Sequence, residues 1–164
     1  MNRIIYPFLA VALLFSLAVS AQAYEGKIEY NKKKQDAFVI EFPYVQQATE
    51  NAVVKRMEQL GYKAKEEKGL FNRDKGFKVY KSALLSDISS NRMDYLIYID
   101  KKGKKDKDGS ILYFVIMKDE NTNAMTTFDA ADMQAARNFL ARLTPDVVAA
   151  DLELQIQAQQ DVVS

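Results

Sequence analysis

Two apolar runs separated by a lysine-rich run constrain this chain more than anything else in it. Asp94–Asp100 reads DYLIYID and Ser110–Met117 reads SILYFVIM, with the polar stretch Lys101–Gly109 between them. Runs this rich in β-branched and aromatic residues, joined by a glycine-containing polar loop, predict an antiparallel β-hairpin. Side chains alternate along a strand, so Tyr95, Ile97 and Ile99 share one face and Leu96 and Tyr98 the other. In the second run Ile111, Tyr113, Val115 and Met117 oppose Leu112, Phe114 and Ile116. Both faces are apolar, whereas a sheet with one wet face carries polar residues at every second position.

Such a hairpin must be covered on both sides. Either helices take one face and other chain segments the second, or the second face docks a partner or an apolar ligand. Tyrosine suits docking because it joins a large apolar body to a polar tip. Tyr95, Tyr98, Tyr113 and Met117 are therefore the candidate ligand or partner surface. The hairpin tip offers a second candidate, since Lys101, Lys102, Lys104, Lys105 and Lys107 face only two aspartates, Asp106 and Asp108. These lysines could contact a polyanion such as a lipid headgroup, polysaccharide or phosphate. Equally, charge at a hairpin tip keeps it solvated and discourages edge pairing. The loop lacks the interleaved aromatics and arginines of nucleic-acid sites.

The remaining segments alternate in period. Tyr24–Asn31 with Lys32–Lys34 reads as a polar lead-in or short edge strand, and Ala37–Phe42 as a strand ended by Pro43. Val45–Leu60 has one broad apolar face at helical spacing and ends at Gly61, where a C-terminal cap favours glycine. Tyr62–Phe71 and Gly76–Leu84 are weaker strand candidates around a turn at Asn72–Gly76, and Ser86–Arg92 is a polar connection. Asp129 and Asp132 form the signature of a capped second helix, with Phe128 placed to staple onto Met133. Thr144-Pro145-Asp146 reads as a fresh cap opening a third helix towards Gln160, whose polar end would project. The order β-α-β-β-β-β-α-α predicts an α+β, two-layer domain: an antiparallel sheet of about five strands with the helices on one face.

Residues Met1–Ala23 carry Arg3, an apolar run from Ile4 to Val19 and a terminal Ala21-Gln22-Ala23, the three parts of an export signal. The apolar run is shorter than the roughly 20 residues of a membrane helix. The expected organisation is thus a signal at 1–23, a domain at 24–143 and a C-terminal helix at 144–164, with no transmembrane segment after cleavage and a periplasmic or secreted location. Cleavage removes one of 23 basic residues and none of 22 acidic ones, so no net field steers the chain towards nucleic acid. The chain has no cysteine, so no disulfide staples the domain and stability must come from apolar burial.

Histidine is missing as well, which removes Ser-His-Asp and Cys-His catalysis and the usual transition-metal ligands. In a calcium-loop register, Asp106-Lys107-Asp108-Gly109 places Lys104 at the first position and Val115 at the twelfth, so both charged ends fail. Asp119–Asn123 has alternating oxygen groups, but Ala124 replaces the turn glycine and Ala130 the last ligand. No phosphate-loop or dinucleotide glycine pattern occurs. No catalytic residue, metal or cofactor is assigned.

The segments KIEYNKKKQDAFVIEFPY, MEQLGYKAKEEKG, KKGKKDKDGSILYF and ARNFLARLTPDVVAADLELQIQAQQ resemble a group of secreted proteins of Gram-negative bacteria. That resemblance implies export and a single domain, and brings no activity with it. The leading expectation is an exported non-enzymatic binding or structural module of the cell envelope, whose partner is an envelope protein or glycan. The alternatives are a carboxylate-based periplasmic hydrolase and a carrier of an apolar ligand.

Overall fold

A computed structural model describes residues 21–66, 74–103 and 108–163. The chain runs β1 (Tyr24–Tyr30), β2 (Lys33–Phe42), α1 (Gln46–Gln59), β3 (Lys65–Glu66), β4 (Lys78–Ala83), β5 (Met93–Lys101), β6 (Ser110–Met117), α2 (Ala130–Ala141) and α3 (Thr144–Val163). A short 3-10 turn at Ala124–Thr126 precedes α2. Most of the expected signal and the expected strand end at 67–71 lie outside the described residues.

The central hairpin forms as its alternation requires: β5 and β6 pair antiparallel from Asp94↔Met117 to Lys101↔Ser110. Around them the sheet is antiparallel throughout, six strands in the order β1-β2-β6-β5-β4-β3. The α+β architecture is thus as expected, with one strand more than the sequence count. The addition is β1, the edge strand that is one of the two readings of Tyr24–Asn31, and of the basic run Lys33 and Lys34 open its partner β2. Asn31 and Lys32 make the two-residue turn between them, both at positive φ (51° and 59°). That backbone matches the twist of a hairpin but normally advertises itself by Asn-Gly; lysine at the second position hides it.

One face of the sheet holds the main core. Phe38, Ile40, Tyr95, Ile97, Leu112, Phe114 and Ile116 pack there against Ala52, Val53 and Met57 of α1 and Phe139 and Leu140 of α2. The Phe114 ring is stacked with Tyr95 on one side (5.6 Å between centroids) and Phe139 on the other (5.7 Å). Burying each large apolar side chain contributes about 1.5–3 kcal/mol, which supplies what disulfides would otherwise add. Thr49 of α1 and Ser110 of β6, both fully buried, satisfy each other's hydroxyls at 2.7 Å.

Two of the three caps read from sequence are present. Gly61 sits at φ 88° and its amide donates to the Glu58 carbonyl, closing α1. Asp129 accepts from the Asp132 amide at 2.8 Å, and the Asp132 carboxylate accepts from the Asp129 amide. Thr144 departs from the expected cap: its hydroxyl donates back to the Ala141 carbonyl at 2.8 Å. The first half of α3 docks on α1, burying Val147 and Ala150 and bonding Arg56 to Asp146 at 2.8 Å. From Gln155 to Val162 every residue is exposed.

Two buried phenols mark where this core is under tension. Tyr80, 2% exposed, has no partner for its hydroxyl among the described residues. Burial, with Glu58 and Glu66 adding repulsion, pushes its pKa from 10.0 up to about 12, and burial does the same for Tyr95. A folded value above the unfolded one leaves stability intact below pH 10.0 and removes it as pH climbs towards about 12. Urea titrations should show that alkaline loss, reduced in Tyr80→Phe, and at pH 7 this variant should be about 1 kcal/mol more stable because an unsatisfied hydroxyl is gone.

Candidate functional site: the cleft on the second face

Among the described residues the second face of the sheet is covered only in part, by two aromatic arms. Phe38–Phe42 of β2 pair with β6, but Lys33–Ala37 pair with β1 alone. The free half of this two-stranded ribbon takes up strong twist and places Tyr30 against the second face. Asp74 and Phe77, just before β4, meet it there. The Asn31 amide donates to the Asp74 carboxylate at 2.9 Å, and the Phe77 ring lies 4.9 Å from Tyr30 and 5.0 Å from Tyr98. Beneath these arms Ala37, Val79, Leu96, Val115 and Met117 are buried as a second, smaller core.

Beside these arms the described residues leave an open cleft of about 240 Å³. Val79, Leu96 and Met117 line its apolar part, Tyr30 and Asn31 flank it, and Lys81, Asp94, Asp119 and Glu120 bring charge to it. One wall is held in an uncommon conformation. Register shifts between Tyr80 and Ala83, and Ser82 sits at φ 50°. A non-glycine residue there costs on the order of 1 kcal/mol, and two side chains, one on β5 and one just before it, secure it. The Ser82 amide donates to Asp94 Oδ1 at 2.7 Å, while Arg92 Nη1 donates to the Ser82 carbonyl at 2.9 Å. The other Asp94 oxygen lies 3.7 Å from the Lys81 ammonium.

The facing wall is a tight turn after β6. The Asn121 amide donates to Asp119 Oδ1 at 2.9 Å, and this bond, aided by Thr122, holds the Asp119 carboxyl below the usual aspartate value. Asp119 is therefore ionised at neutral and mildly acidic pH. The alternating oxygens that resembled a calcium loop are taken up in turn and cap geometry: Asn123 Oδ1 accepts from the Met125 amide and its Nδ2 donates to the Asp36 carbonyl. Among the described residues no three acidic groups converge as a metal site.

The residues singled out from sequence separate here. Met117, 4% exposed, lines the cleft. Tyr98 and Tyr113 lie beside each other on the same face, half-buried, with ring centroids 6.4 Å apart. Tyr95 does not join them; it is fully buried under the helices, as its strand parity dictates. Of the tip lysines, Lys101 is exposed and Lys102 donates to Glu41 at 2.7 Å, an interaction that, with the Tyr24 hydroxyl, holds Glu41 below the ordinary glutamate value. Lys104, Lys105 and Lys107 lie outside the described residues. Tyr30, Asn31, Lys81, Asp94, Asp119 and Glu120 were not among the sequence candidates as a group, because only strand pairing brings them together. Asp119 and Glu120 stand out in the sequence only as part of an incomplete calcium-loop pattern, and Asp94 as a carboxylate on the same face as Leu96 and Tyr98.

No family model, curated protein or solved structure matches this chain. Its candidate site rests on its own geometry.

Gly76 fixes the latch beside the cleft. It sits at φ 96°, and a Cβ there would stand 3.1 Å from the Tyr98 ring. Gly76→Ala should cost about 1–2 kcal/mol by urea denaturation and weaken the near-UV tyrosine circular dichroism while leaving the far-UV spectrum unchanged. An unaltered near-UV spectrum would mean that the arms do not order the tyrosines.

Proposed function

We propose that the protein is an exported, non-enzymatic binding module of the cell envelope, and that its partner docks at the second-face cleft. The observation that carries this reading is the incomplete cover of an apolar sheet face, ending in an open cleft whose bulged wall is held by Asp94 and Arg92. Bulges and strained residues cluster beside binding sites because surrounding contacts must maintain them against their cost. The export signal supports a periplasmic or extracellular setting, and no helix among the described residues is long and apolar enough to cross a membrane.

Size and charge weigh against the two competing functions. A carrier of an apolar ligand needs an enclosed site, commonly about 300–1,000 Å³, whereas this cleft is about 240 Å³, open and edged by charge. A carboxylate hydrolase needs one carboxyl held protonated near neutral pH to act as acid. Here Asp119 is shifted the opposite way and Asp94 is occupied by the Ser82 amide and Lys81. Binding fits both facts.

A photo-reactive benzophenone amino acid at Glu120, expressed in a Gram-negative host, tests this directly. A discrete adduct should form in the envelope fraction, disappear when Lys81→Trp on the exposed rim obstructs the cleft, and be missing when the probe sits at Gln159 on the exposed end of α3. Identical patterns from both positions, or none from Glu120, would remove the support for docking at this face.

A further inference from the structure

Charge at the cleft indicates what enters it. Its lining residues include three carboxylates, Asp94, Asp119 and Glu120, against a single ammonium, Lys81. That ammonium is already opposite Asp94, 3.7 Å away, and Asp94 is also bonded to the Ser82 amide. The facing wall carries Asp119 and Glu120, two carboxylates with no ammonium from the lining opposite them. Outside the lining, Lys118, next to Asp119 in the chain, adds one positive charge to this wall. Asp119 is fixed in place by the Asn121 amide and kept ionised by it. Between the two walls the floor is formed by the small exposed edges of Val79, Leu96 and Met117, each 4% exposed or less, with the Tyr30 ring at its side.

We infer that the cleft receives a lysine or arginine side chain presented by an envelope protein, and this rests on the docking function proposed above. The side chain's methylene stem covers Leu96 and Met117, and its cationic head reaches Asp119 and Glu120. Long basic side chains favour such a divided environment, stem on apolar surface and charge near water. Tyr30 adds an aromatic wall of the kind that attracts cations. Charge complementarity of this type chooses the partner and speeds encounter more than it adds affinity. The open geometry favours a side chain on a protein over a free amine, since a lone small molecule would have few groups to bury it and a partner's flanking backbone can rest on the β1–β2 tip and the turn after β6.

The test uses the full chain labelled with 13C-methyl methionine, reading the Met117 methyl by NMR after assignment through Met117→Leu. The probes are acetyl-Gly-Lys-Gly-amide, its arginine counterpart, the norleucine analogue that keeps the stem and lacks the charge, the glutamate analogue, and n-butylamine. The lysine and arginine peptides should shift the Met117 methyl at concentrations at least about tenfold below those needed for norleucine, glutamate or n-butylamine. Asp119→Asn combined with Glu120→Gln should abolish that preference while leaving the methionine spectrum of the free protein intact, and added salt should weaken binding. Equal response to lysine and norleucine, a preference for glutamate, an unchanged preference in the double variant, or a silent Met117 methyl would each overturn the inference. Photo-adducts at Glu120 alongside any of these results would limit the failure to the choice of a basic side chain; loss of the adducts as well would remove the docking function itself.

Discussion

The β5–β6 ladder is the interaction on which the rest of the molecule depends, because it is apolar on both sides and neither side can be left to water. With no cysteine to supply covalent support, every neighbouring element is placed by the need to cover one of these two faces. On one side α1 and α2 bury Tyr95, Ile97, Phe114 and Ile116, and the first half of α3 packs behind α1. This side is closed. The buried hydroxyls of Thr49 and Ser110 on this side satisfy each other, which lets a helix sit tightly on the start of β6.

The other side is closed by different means and only in part. Instead of helices, a twisted two-stranded ribbon and the residues before β4 extend Tyr30 and Phe77 over it, joined by the Asn31–Asp74 bond. Two arms cannot cover six strands. Where they end, the buried floor of Val79, Leu96 and Met117 meets charged walls, and the cleft is the result. The strain at Ser82 and the ordering of Asp119 belong to the walls of this cleft, so the local departures from regular structure coincide with the gap in the cover. Fold and proposed function thus share one cause: a sheet apolar on both faces, with a chain that fully covers one.

Legibility in the sequence followed the range of the forces involved. The β5–β6 hairpin, α1 with its Gly61 cap and the Asp129–Asp132 capping box were readable because period and caps are local signals. The two-faced character of the hairpin was readable too, and the two sets of side chains do face opposite layers. Alternation alone does not say which set the helices cover, but it does set Tyr95 apart from Tyr98, so a docking surface holding both tyrosines runs against strand parity. β1 was obscured because lysine occupies a left-handed turn position that glycine usually marks. The cleft was the least legible feature. Lys81, Asp94 and Asp119 come from separate segments and meet only through the β4–β5–β6 pairings and the twist of the β1–β2 ribbon.

Amide hydrogen exchange tests the unequal closure of the two faces most directly. If β5 and β6 form the spine and the ribbon is an arm laid over it, Leu96, Ile97, Phe114 and Val115 exchange only through global unfolding. The amides of Tyr30–Lys33 then exchange faster by roughly two orders of magnitude or more, through local opening of the latch. Equal protection of the ribbon tip and the central ladder, or faster exchange in the ladder than in the tip, would contradict a sheet with one face closed and the other only bridged.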